Sequence, residues 1–316
     1  MKKLFAIFLM LFLTINYTSF ASITTKENNS KKSAYIYEKQ DTFIKDFKNT
    51  YMVLPSLFFG DFYVYENPSD FYIASFSNKK LVFLYTTSKN FVGVKNVTVG
   101  SKASLIKNIF KNKIINKYII DKNYITYTFS DSNLGKDYDC IDMNFYYIFV
   151  FYDLLKNPSY VNGILIVDKT LWNSYLINDK YINDFEKVQE SFAKINFYHL
   201  NSLRASLKLK PLMYSEKLAS VALNHSINMS KLNFFSHTDL DGLSPFDRMT
   251  NAGIKFMSAG ENIAYGNKML PIFANHLLFN SPGHRHNIEG NFDYIGVGVR
   301  IRSNDLDIYY TQNFIR

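Results

Sequence analysis

The first apolar stretch is Leu4 to Ile15, a run of about a dozen residues behind the basic pair Lys2-Lys3. Ser19-Phe20-Ala21 follows with the small-x-small pattern of a cleavage site. Residues 1–21 are therefore read as a secretory signal peptide. The run is short of the roughly 20 residues of a membrane span, and an uncleaved signal anchor is the alternative. Residues 22–50 are polar and read as a linker. From there the apolar positions come in short β-branched and aromatic runs: Leu81 to Tyr85, Tyr124 to Phe129, Tyr146 to Phe151 and Ile164 to Val167. Such runs predict strands. One helical spacing interrupts them, with Leu105, Ile106, Ile109 and Phe110 on one face behind Gly100 and a predicted Ser101 N-cap. Residues 51–178 are thus predicted to form a small α+β domain.

Past Asn178 the period becomes helical. Phe185, Val188, Phe192, Ile195 and His199 recur at three and four and predict a helix from Asn183 to about Leu207. Pro211 lies in the break that follows. Ser215 is placed to cap a second helix, whose apolar stripe is Leu218, Val221, Ala222, His225, Met229 and Leu232. Ser244-Pro245 opens a third, with Asp247 near its positive end and Gly253 as its stop. A fourth is expected over Met269 to Phe279, interrupted early by Pro271, and then a short turn at Ser281-Pro282. Tyr294 to Ile301 and Ile308 to Ile315 read as closing strands. Helices and strands mixed on this scale predict a layered α/β/α sandwich over residues 183–316, so the fold class is α/β with a smaller α+β domain in front.

Of the 316 residues, 47% are hydrophobic and 20% charged, a balance that excludes a disordered chain. Cys140 is the single cysteine, so no internal disulfide can form and burial must supply the stability. The formal net charge is +9, and removal of residues 1–21 with Lys2 and Lys3 leaves 9 − 2 = +7, which suits contact with anionic cell-wall polymers or membrane surfaces. The lysines form no block of five like charges, and nothing in the chain points to nucleic acid.

All six histidines lie at or beyond position 199. His237, Glu261 and His284 each fall at the end of a predicted element, where functional groups concentrate. Two imidazoles and a carboxylate are a donor set for a divalent cation such as zinc with an open position, or an acid–base set. Ser236 and Ser281 lie beside or near these histidines, but neither G-x-S-x-G nor H-E-x-x-H occurs. His225 sits on the apolar stripe of its helix and reads as a core histidine with one hydrogen bond. His276 reads as core or rim, His199 as a helix-face residue and His286 as surface. Asp239-Leu240-Asp241-Gly242 resembles the middle of an EF-hand loop and fails as one, because His237 and Arg248 would fill its first and twelfth positions. Asp137, Asp139 and Asp142 are read as a solvated loop. Arg248 and Arg285 are expected to pair with carboxylates that order the loops.

The motifs of the C-terminal third resemble those of the bacterial CAP family, the cysteine-rich secretory, antigen 5 and pathogenesis-related 1 proteins. They run in order: Asn201-x-x-Arg204, Leu209 to Leu212, Phe234-Phe235-Ser236-His237-Thr238-Asp239, Ser244 to Arg248, Gly260-Glu261-Asn262-Ile263, Ser281-Pro282-Gly283-His284-Arg285, Ile295 to Val299 and Thr311-Gln312-Asn313-Phe314. The resemblance implies an α/β/α sandwich with a cleft, which in many members is lined by two His and two Glu and in some holds a divalent cation. His237, Glu261 and His284 match three of the four, and Ser281 stands at the place of the second Glu. The first half is similar, more weakly, to a CAP-associated N-terminal domain. Two functions are open at this point. One is an exported, extracellular or envelope-associated binding protein whose cleft, lined by His237, Glu261, Ser281 and His284, takes a lipid, glycan or peptide. The other is a metal-assisted hydrolase using His237, His284 and Glu261.

Overall fold

In the N-terminal half the runs Leu81 to Tyr85, Tyr146 to Phe151 and Ile164 to Val167 become strands buried on both faces. A computed structural model of the chain describes residues 32–46, 50–115, 118–122, 125–129, 135–174 and 179–316, so the expected signal peptide lies outside the described residues. The elements in order are α1 Gln40–Asp46, β1 Met52–Leu54, β2 Phe62–Tyr65, β3 Tyr72–Ser77, β4 Lys80–Thr86, α2 Ala103–Ile109, β5 Ile114–Ile115, β6 Tyr118–Lys122, β7 Ile125–Phe129, β8 Tyr138–Asp142, β9 Tyr146–Asp153, β10 Tyr160–Asp168 and α3 Lys169–Ser174. Among the described residues one antiparallel sheet runs β1-β2-β3-β4-β10-β9-β8-β5, and β6 pairs with β7.

Strand alternation sends Ile148, Val150 and Tyr152 into a core with Phe43, Ile106 and Phe110 from α1, α2 and the turn beyond α2. Tyr147, Phe149 and Phe151 point the other way. Burial of both faces is why β9 shows no polar alternation in sequence. Part of the stretch read as a linker is packed here, since Phe43 is buried and Lys32 bridges to Phe91. Two further local expectations are corrected. Lys102, not Ser101, holds the N-cap position of α2, and its side chain makes no capping bond. The Ser101 hydroxyl instead accepts from the Thr98 amide, upstream of the helix. Asp139 and Asp142 lie on β8, where Asp139 accepts from the Tyr152 hydroxyl at 2.7 Å and Asp142 pairs with Lys169.

The second half consists of α4 Phe185–Ser206, β11 Met213–Tyr214, α5 Glu216–Leu232, α6 Pro245–Asn251, β12 Ala259–Asn267, α7 Pro271–Asn280, α8 Pro282–Glu289, β13 Tyr294–Ile301 and β14 Asp307–Ile315. Its sheet runs β11-β13-β14-β12. β13 reads Ile-Gly-Val-Gly-Val, so alternation turns Ile295, Val297 and Val299 toward α4 and the glycines toward α5. A Cβ on Gly298 would lie 2.0 Å from the Leu223 amide nitrogen, and one on Gly296 2.2 Å from that of Ala219. The α5 backbone therefore sits directly on the strand. Pro271 does not interrupt a helix but starts one, since the first turn has no use for its missing amide. The expected turn at Ser281-Pro282 is the start of the eight-residue α8.

The sequence of α7, Pro-Ile-Phe-Ala-Asn-His-Leu-Leu-Phe-Asn, is apolar around its circumference, as in a helix buried on all sides. One side packs on α4. From the other, the Phe273 ring meets Tyr138, Phe149, Phe151 and Trp172 at centroid distances of 5.0–6.0 Å. One hydrophobic core thus runs from Leu54 and Phe149 in the first half to Phe279 and Phe314 in the second. No helix among the described residues is long and apolar enough to cross a membrane.

Candidate functional site

The site is assembled where β12, the loop after α5, α6 and α8 meet. Glu261 is the third residue of β12, and its side chain is 1% exposed. A carboxylate so placed needs partners, and it has two. The His237 Nδ1–H donates to Oε1 at 2.9 Å, and Arg248 Nη2 donates to Oε2 at 2.8 Å. Arg248 also donates from Nη1 to the carbonyls of His237 and Leu243, at 2.9 and 2.8 Å, so one guanidinium fixes both the carboxylate and the loop carrying the histidine. Its helix is set by a capping box, in which Ser244 and Asp247 exchange bonds. The Asp239–Gly242 segment is a turn, as expected, with the Asp239 carboxylate accepting from the amides of Asp241 and Leu243. Below, the His225 Nε2–H donates to the Ser236 carbonyl at 2.9 Å and lies 4.0 Å from Glu261 Oε1. Burial holds its pKa below the usual histidine value.

The second histidine arrives on α8. His284 Nδ1 lies 2.9 Å from the Ser281 hydroxyl, and the Asn262 amide donates to the His284 carbonyl at 3.2 Å. The rings of His237 and His284 face one another with centroids 6.4 Å apart. Burial first, and then the neighbouring His237, lower the pKa of His284. The structure therefore brings His237, Glu261, Ser281 and His284 together. His199 and His276 lie elsewhere, both fully buried against Tyr85, His199 on the inward face of α4. His286 is exposed on α8. A groove of about 340 Å³ between α4, α5 and β13, floored by Val297 and Val299, contains none of the site residues.

An aromatic ledge lies farther along β12, past Ile263, and was not read from the sequence. Phe235 and Tyr265, 47% and 46% exposed, lie 5.3 Å apart by ring centroid, and Tyr265 stacks on Tyr309 at 5.0 Å. Tyr265 is four residues from Glu261 on one strand, and thus on the same face. The available signal was a pair of aromatics two residues before His237 and four after Glu261, lost among the chain's 24 tyrosines and 29 phenylalanines.

Residues 197–314 match the sequence profile of the cysteine-rich secretory protein family, CAP, and residues 36–175 that of the CAP-associated N-terminal domain. The C-terminal domain is a CAP domain. Its companion is a CAP-associated N-terminal domain. Both are covered in an extracellular protein containing a SCP domain from Bacillus anthracis, whose crystal structure superposes with a TM-score of 0.76 at 21% identity over 94% of this chain and 99% of that one. At that identity the likeness is one of fold. The uncharacterized membrane protein YlbC of Bacillus subtilis is 27% identical over 83% of this chain and 77% of its own length. YkwD of the same organism is 41% identical over 116 residues, 36% of this chain and 43% of that protein.

The CAP resemblance raises the question of a cation. Among the described residues no three His, Cys, Asp or Glu side chains are gathered to hold one. The only carboxylate in the CAP cleft set, Glu261, has both oxygens engaged, one of them by a guanidinium. Ser281, at the place of the second carboxylate, offers a neutral hydroxyl turned to His284. The residues present do not fit a cation held by His237, His284 and Glu261 together.

Proposed function

We propose that this chain is an exported, envelope-facing protein whose CAP cleft binds a glycan of the cell wall without cleaving it. The observation that carries this reading is the double engagement of Glu261. A buried carboxylate neutralised by Arg248 and hydrogen-bonded to His237 braces the cleft and is not free to activate water. What it leaves facing outward is the Nε2 of His237, whose side chain is 47% exposed, beside His284 and Ser281. These groups exchange hydrogen bonds with hydroxyls, and the exposed rings of Phe235 and Tyr265 offer a stacking surface for a sugar ring. That combination suits a polar, ring-bearing ligand better than an acyl chain or an extended peptide. The net charge of +9, the signal-like N-terminus, and the words extracellular and membrane in the names of two similar proteins support a place at the envelope.

The alternative of metal-assisted hydrolysis has one observation in its favour. A histidine whose Nδ1–H is held by a carboxylate presents Nε2 in the orientation metal ligands take. The two readings separate by experiment. In co-sedimentation with purified peptidoglycan sacculi at high salt, which removes simple charge attraction, the full chain is expected to bind saturably. His237→Ala and Tyr265→Ala are each expected to weaken binding roughly tenfold, the equivalent of about 1.4 kcal/mol. Equal binding by wild type and both variants would refute the cleft as the site.

A further inference from the structure

Two polar contacts of the CAP-associated domain reach α7 and α8, which flank and carry Ser281 and His284. The first is made by the loop where β9 ends. Asp153 accepts two hydrogen bonds from the Arg285 guanidinium, at 2.9 and 3.3 Å, and the Leu154 amide donates to Asn280 Oδ1 at 3.1 Å. Arg285 follows His284 directly, and Asn280 precedes Ser281. The Arg285 and Asp153 side chains are 6% and 5% exposed, so this ion pair is sealed between the domains. The guanidinium also lies 3.6 Å over the Phe279 ring, donates to the Phe279 carbonyl, and reaches Glu289 at 2.6 Å. Arg285 thereby clamps the end of α7 to the length of α8.

The second place is one turn back along α7. The Tyr85 hydroxyl of β4 lies 2.6 Å from His199 Nε2 and 2.7 Å from His276 Nε2. Asn275 donates to His199 Nδ1 at 3.2 Å, which puts the proton of a neutral His199 on Nε2, donated to Tyr85; the Tyr85 O–H then donates to His276. The chain of bonds continues toward the cleft. Gln312 donates to Asn275 and Asn196, both at 2.7 Å. Asn262, beside Glu261, donates to Gln312 and to the carbonyl of His284, both at 3.2 Å. Gly163 of β10 makes room for this knot, since a Cβ there would lie 2.7 Å from both the Tyr85 oxygen and His276 Nε2.

We propose that the N-terminal domain serves the cleft as a positioning element: Asp153, through Arg285, holds the α7–α8 turn and so fixes where Ser281 and His284 stand. Asp153 is a positioning residue and touches no ligand. Its role is to give the buried guanidinium its counter-charge; without it the one carboxylate left to Arg285 is Glu289, itself half exposed, and the guanidinium turns toward solvent, taking the start of α8 with it.

The test needs no ligand, so its outcome is independent of the glycan reading. Full-length protein carrying labelled histidine is compared by NMR as wild type, Asp153→Asn and Asp153→Ala, with His284→Ala, His237→Ala and His225→Ala spectra assigning the ring signals. Asp153→Asn keeps the shape of the side chain while removing its charge. The expected result is a shifted or broadened His284 ring signal in both Asp153 variants, with the His225 signal, which reports the same domain from the far side of Glu261, unmoved. An unmoved His284 signal in Asp153→Asn would overturn the proposal. So would a common change in the His284, His237 and His225 signals, which would mark Asp153 as a stabilising residue only.

Discussion

Glu261 and Arg248 decide what the site can do. Their partnership is nearly closed to solvent, the side chains being 1% and 9% exposed. In such a place a lone charge is costly, while a matched pair with additional hydrogen bonds is tolerated. Glu261→Ala would leave Arg248 with two carbonyls and Asp239 at 3.9 Å. It is expected to destabilise the protein by about 3 kcal/mol, read as a loss of urea resistance. Glu261→Gln keeps the shape and should lose less. Equal stability of Glu261→Ala and wild type would mean that the carboxylate is not a brace. The sequence showed these residues one at a time. His237, Glu261, Ser281 and His284 stood out by type and by position at element ends, and Arg248 as a partner for some carboxylate. That the partner is Glu261 depends on three loops converging, which no spacing encodes. His225 is the core histidine with one hydrogen bond that its apolar stripe predicts, while the Phe235–Tyr265 ledge escaped because an aromatic in an aromatic-rich chain looks like core.

At the scale of elements, the helices and closing strands of the C-terminal domain were legible because each carries one periodicity and ordinary caps. The errors fell where two signals compete. Proline at Pro271 and Pro282 reads equally as a breaker or a first-turn residue, and only the chain beyond decides. Glycine ordinarily weakens a strand interior, yet Gly296 and Gly298 are what lets α5 approach β13. Gly298→Ala places a methyl carbon 2.0 Å from the backbone nitrogen of Leu223, with no flexible side chain to give way. The expected cost is at least about 3 kcal/mol, the upper end for overpacking, seen as a large drop in melting temperature. A melting temperature within a few degrees of wild type would show that α5 can lift off the strand freely.

At the scale of the whole molecule, the two domains share one core, and this was the least visible feature. The sequence marks a boundary near 178–183 by a change of period, but the contact between Phe273 and the aromatic face of β8 and β9 joins residues about 130 apart in the chain, and α7 shows only that it is buried on every side. The shared core has a pH consequence. Burial lowers the pKa of His199 to about 3 and that of His276 well below its usual value. Both are neutral when folded and take up protons on unfolding below about 6.5, so stability is complete above that pH and falls as pH drops toward the folded values. The two together should cost on the order of 3 kcal/mol between pH 7 and pH 5, measured by urea unfolding at each pH. A flat profile over that window would contradict the buried, neutral pair.

On the proposed function, the cleft binds and does not cut. The most direct test is incubation of the full chain with peptidoglycan sacculi, with and without a chelator and with added zinc, reading both bound protein and released soluble fragments. Saturable binding indifferent to chelator and zinc, with no fragments released, is expected. Release of fragments that stops with chelator and returns with zinc would contradict it, and would mean that Glu261 leaves Arg248 to act on a metal-bound substrate.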